Sequence, residues 1–115
     1  MQIGEIGLLT SDVIKLSKFY KMILEIDNDN NDETIQLIIT EGTGLTIYND
    51  GVERKENHQN FCLAFTVYDV EKKFERLKVL GVNIIEPPTI RPWGAKNMII
   101  NDPEGNQVIF RSIPK

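Results

Sequence analysis
The chain has 115 residues, enough for one domain, since single cores span about 50 to 200 residues before they split. Its 41% hydrophobic and 26% charged content is that of a globular chain. The longest apolar run, Phe61 to Phe65, falls far short of the roughly 20 residues of a membrane-spanning helix. Thirteen basic against 17 acidic residues give a net charge of -4, with no Lys and Arg cluster able to neutralise a row of phosphates, so no nucleic-acid partner is expected.

The first residues, Met1-Gln2-Ile3-Gly4-Glu5, lack the basic and long apolar regions of a secretory signal; a cytoplasmic protein with no membrane partner is expected. A mixed apolar strand over residues 2–10 runs into Ser11-Asp12, an N-cap for a helix whose apolar stripe is Val13, Leu16, Tyr20, Ile23 and Leu24. A weak segment over residues 25–29 is counted as a strand. The acidic run from Asp27 to Glu33 places oxygens like the start of a calcium loop. Asp32 and Ile38 stand where such a loop needs glycine and glutamate, so a solvated turn is expected. Two short strands rich in β-branched residues follow, 34–40 and 44–48. Gly42-Thr43-Gly44 between them lacks the third glycine and the helix of a nucleotide fingerprint.

In the second half, a strand over 61–67 leads to Asp69, which caps a helix presenting Val70, Phe74, Leu77 and Leu80 and ending at Gly81. A short strand over 82–85 precedes the loop 86–94, where three prolines argue against regular pairing. Strands over 97–101 and 107–112 flank the turn Asp102-Pro103-Glu104-Gly105-Asn106.

The order repeats. Glu5 to Val13 aligns with Cys62 to Val70 at an offset of 57, and Gly42 to Ile47 with Gly105 to Phe110 at 63, with the six extra residues assigned to the proline loop. A single domain of two βαβββ halves, about 1–55 and 56–115, is expected. Alternation then turns Ile6, Leu8, Leu45, Ile47, Leu63, Phe65, Val108 and Phe110 towards the helices. The opposite face carries Glu5, Gly7, Leu9, Thr46, Tyr48, Cys62, Ala64, Thr66, Gln107, Ile109 and Arg111. That mixture is too polar for a dry core and too apolar for plain surface, and suits the lining of a small-molecule site.

This tandem repeat, with Ser11-Asp12, Phe19-Tyr20, Asp69-Val70, Trp93-Gly94 and the Asp102 to Asn106 turn in order, resembles the vicinal oxygen chelate superfamily of glyoxalases, bleomycin resistance proteins and extradiol dioxygenases. The resemblance implies an α+β fold in which tandem βαβββ repeats form a curled mixed sheet around a cleft. It also implies metal ligands at positions matching Glu5, Thr46, Cys62 and Ile109. Glu5 suits a hard metal and Cys62 a soft one; Thr46 is a poor ligand, and the alkyl side chain of Ile109 has no lone pair. The chain's one histidine, His58, is either a substitute ligand or a residue of a polar turn. Cys62 is alternatively a small buried hydrophobe. Glu5 meets a ligand, acts as a weak candidate base, or pairs with Arg111.

Trp93 either stacks on a planar ligand, with Tyr48 as a second aromatic wall, or packs its own loop down. The expected function is metal-independent binding of a small molecule, similar to the drug-sequestering branch, through Glu5, Thr46, Tyr48, Cys62, Trp93, Ile109 and Arg111. No cofactor is expected. The rival is a lyase, isomerase or dioxygenase with a divalent metal at an atypical site of Glu5, Cys62 and His58; a third reading is an accessory subunit. Open sheet edges favour a homodimer.

Overall fold
A computed structural model describes residues 1–53 and 61–113. His58 lies outside the described residues. The chain divides into two compact units, Met1–Glu56 and Asn57–Lys115.

In the first unit, β1 (Glu5–Leu9) leads into α1 (Val13–Ile23), followed by β2 (Ile35–Ile39) and β3 (Gly44–Tyr48). The helical crossover lets β1 pair parallel with β3, and the short β2 to β3 connection gives an antiparallel pair, so the order is β1-β3-β2. Asp12 caps α1, its side chain accepting from the Lys15 amide at 3.0 Å. Val13, Leu16, Tyr20 and Ile23 form one buried stripe, as their spacing requires.

The helix closes through two bonds, Glu25 amide to Met22 carbonyl and Ile26 amide to Lys21 carbonyl, with Glu25 in the left-handed region at φ 55. This is the Schellman pattern.

The strand expected over residues 25–29 is not formed, so the first unit has three strands among its described residues where four were predicted. Its backbone is taken by local side chains instead. Asn28, Asn30 and Asp32 accept in turn from the amides of Asn30, Asp32 and Thr34, an Asx chain that competes with a ladder. Asp32 also accepts from Ile35. The amides of Ile35 and Thr34 hold its carboxyl below the usual range. The acidic run is therefore an ordered entry to β2.

In the second unit, β4 (Cys62–Thr66), α2 (Val70–Val79), β5 (Ile84–Ile90), β6 (Lys96–Asn101) and β7 (Gln107–Ser112) give the order β4-β7-β6-β5, with β4 parallel to β7. Asp69 accepts from the Glu71 and Lys72 amides. Gly81 at φ 78 closes α2 as Glu25 closes α1, with Gly81 bonded to Lys78 and Val82 to Leu77. Val70 and Leu77 are buried, while Phe74 is half-buried and Leu80, at the C-cap, is exposed.

The proline segment corrects a second expectation. Residues 86–90 belong to β5, leaving Arg91 to Ala95 as the turn. Pro87 and Pro88 are tolerated because β5 is an edge strand and its register shifts between Glu86 and Thr89, so neither is asked for a ladder amide.

The repeat is exact in register. Glu5 pairs with Gly44 and Leu9 with Tyr48, just as Cys62 pairs with Gln107 and Thr66 with Arg111. α2 packs on β5, β6 and β7 over a core of Met98, Ile100, Val108 and Phe110. In the first unit the core is the α1 stripe with Leu45 and Ile47.

Candidate functional site
Pairing in register places partners on one face. In the first unit that groups Glu5, Gly7 and Leu9 of β1 with Thr46 and Tyr48 of β3, and with Ile35 and Leu37 of β2. This face turns away from α1: the residues that alternate with it, Leu8, Leu45 and Ile47, are buried, whereas Glu5 and Leu37 are exposed. Tyr48 is half-buried, and its ring lies over Gly7. A Cβ built there would sit 2.9 Å from Tyr48 Cε1, so glycine is what permits the close approach. Thr46, expected on the open face, is only 5% exposed. It stands between Gly7, which the ring covers, and Leu37.

The open face of the second unit has three rows. Cys62, Gln107 and Asn101 form the first; Ala64, Ile109, Ile99 and Glu86 the second; Thr66, Arg111, Asn97 and Thr89 the third. Cys62 is an exposed free thiol, which sets aside its reading as a buried hydrophobe. Ile109 is half-buried between Ala64 and Ile99. Arg111 is exposed, with Nε donating to Thr66 Oγ1 at 3.1 Å.

Trp93 is 70% exposed, so it does not pack its loop down. That turn is closed by Arg91 donating to Ala95 and Gly94 to Arg91; Glu86 and Arg91 form an ion pair at 2.8 Å. Ile35, Leu37, Asn97 and Ile99 escaped the sequence reading, although their alternation with buried Gln36, Ile38, Met98 and Ile100 was the signal that could have found them.

The positions matching the superfamily's metal ligands are thus divided between the units, Glu5 and Thr46 in one, Cys62 and Ile109 in the other. Two of the four are poor or incapable donors: a buried threonine hydroxyl, and an alkyl group. That set does not fit a metal held in the superfamily's manner. Among the described residues, no three His, Cys, Asp or Glu side chains cluster to hold a metal ion, and no helix is long and apolar enough to cross a membrane.

The Asp102 turn closes the second unit's β6 to β7 connection. Asp102, 5% exposed, accepts from the amides of Glu104 and Asn106 and from Asn106 Nδ2 at 2.7 Å. Gly105 adopts φ 85. The turn fixes the register in which β7 presents Ile109 and Arg111.

Solved structures share this fold. A glyoxalase/bleomycin resistance protein/dioxygenase from Nocardioides superposes with a TM-score of 0.81 at 19% identity, covering 100% of this chain and 85% of that one. A glyoxalase-related enzyme from Fulvimarina pelagi gives 0.80 at 21%, covering 99% and 89%. TioX from Micromonospora sp. ML1 gives 0.75 at 18%, covering 99% and 100%. No curated protein matches the sequence. The sequence model of the Glyoxalase/Bleomycin resistance protein/Dioxygenase superfamily matches residues 2–110, and with the strand order and turn described above this places the chain in that superfamily.

Proposed function
We propose that the protein binds a small molecule on its open strand faces without a metal. The observation that carries this reading is the pairing of an accessible half-polar face with a donor set that fails at Ile109 and Thr46. On the first unit's face Glu5 and Tyr48, and on the second unit Cys62, Trp93 and Arg111, then serve as polar and aromatic contacts, with Thr46 and Ile109 as supporting surface within their own units. Binding of this kind needs no catalytic group. A homodimer is the proposed assembly.

The test is elemental analysis of protein purified without chelator or affinity tag, beside Glu5→Ala. The expected result is no stoichiometric transition metal in either protein, followed by stabilisation in a thermal-shift screen of metabolites and drugs. Near-stoichiometric metal that disappears in Glu5→Ala would overturn the reading and establish a metal-dependent lyase, isomerase or dioxygenase as the candidate activity.

A further inference from the structure
The third row of the second unit's open face runs Thr66, Arg111, Asn97, Thr89 across four strands. It lies at the end of the sheet where β4 and β7 finish and β6 begins, next to the turn that bears Trp93. Two of its groups are already engaged. Thr66 Oγ1 accepts from Arg111 Nε, and Thr89 Oγ1 donates to the Pro87 carbonyl at 2.8 Å.

What is left is one uncommitted cationic edge and, opposite it, an unbonded acceptor. The bond to Thr66 steadies one edge of the Arg111 guanidinium and leaves its terminal nitrogens without a partner among the described residues. Asn97, directly opposite, has its carboxamide Oδ1 buried and unbonded among the described residues, although buried carboxamides ordinarily find partners. Among the described residues Glu86 is the one carboxylate in these rows, and Arg91 neutralises it. Beside the row lie Ile109 and Ile99.

We propose that this corner binds the carboxylate of a small organic acid with a planar apolar body. A guanidinium presents parallel N–H groups at the spacing of two carboxylate oxygens. The buried Asn97 Oδ1 opposite is an acceptor and takes no part in holding the anion. Ile109, Ile99 and the Trp93 indole offer surface for the body of the ligand. The inference rests on the small-molecule reading above and narrows it to a ligand class.

Benzoate and its neutral counterpart benzamide are the probes, titrated into the full chain. Binding is read by heteronuclear NMR and by fluorescence of Trp93, the chain's one tryptophan. Benzoate is expected to shift the Arg111 side-chain signals and to change the Trp93 emission. It should bind about tenfold or more tightly than benzamide, the margin of a charge-assisted contact. Arg111→Gln is expected to bring benzoate down to the benzamide level, and Arg111→Lys, which keeps the charge but loses the fork, to fall between.

Equal affinity of the two probes at these residues would overturn the anion preference and leave the small-molecule reading standing. So would benzoate shifting other residues, or failing to bind where neutral fragments bind. Failure of every probe and fragment on both open faces would overturn both readings. The wild-type comparison decides the matter even if Arg111→Gln does not fold.

Discussion

Asp102 shows how much a single side chain can hold. Its carboxylate is 5% exposed and satisfies two backbone amides and the Asn106 carboxamide, which is why the Asp-Pro-Glu-Gly-Asn run has one conformation. Asp102→Ala would strand those donors in a part-buried turn. Each unsatisfied donor costs about 1–3 kcal/mol, and water reaching the opened turn recovers part of it. We expect a loss of about 2–3 kcal/mol, measured by urea denaturation. Asp102→Asn, which keeps one carbonyl oxygen, should lose less. Equal stability of Asp102→Ala and wild type would show that the turn is held by backbone geometry alone.

At the scale of elements, both helices end in the same Schellman arrangement, one on Glu25 and one on Gly81. A Cβ at Gly81 would meet nothing within 4 Å, so Gly81→Ala isolates the backbone cost of the left-handed region. That cost is about 1 kcal/mol, and thermal denaturation should show a drop of several degrees in Tm. An unchanged Tm would mean that the helix end relaxes to another conformation.

The same elements show what the sequence could and could not reveal. Helix starts and stripes were legible because Asp12, Asp69 and the apolar spacing act locally, and strand faces because alternation survives in β1, β4 and β7, whereas β3 buries Thr46 along with Leu45 and Ile47. The Asp102 turn was legible for the same reason. The missing strand after α1 was not, because Asn and Asp side chains capturing their own backbone resemble any polar segment until their bonds are seen. β5 was hidden by its prolines, which are acceptable only because the strand lies at an edge, a fact of topology. In the candidate site, Arg111 and Trp93 stood out by type. Asn97 did not, since what distinguishes it is its position opposite Arg111 and an unbonded oxygen.

For the whole molecule, the edges of its two sheets bear on assembly. Each sheet has one blunted edge: β2 carries a register shift between Leu37 and Ile39, and β5 carries Pro87 and Pro88 with two register shifts. The other two edges, β1 and β4, have neither proline nor lysine nor a shift in register, and β4 carries no charge either, so β4 in particular is open to pairing with a further strand. A second copy offers the same open edge, and a two-fold pair is the commonest way for a chain to satisfy it. Sedimentation equilibrium at micromolar concentration should therefore give twice the 13.2 kDa chain mass. Ala64→Lys, a charge placed in β4, should shift the equilibrium towards the single chain, with circular dichroism checking that the fold persists. A species of single-chain mass throughout would exclude the homodimer.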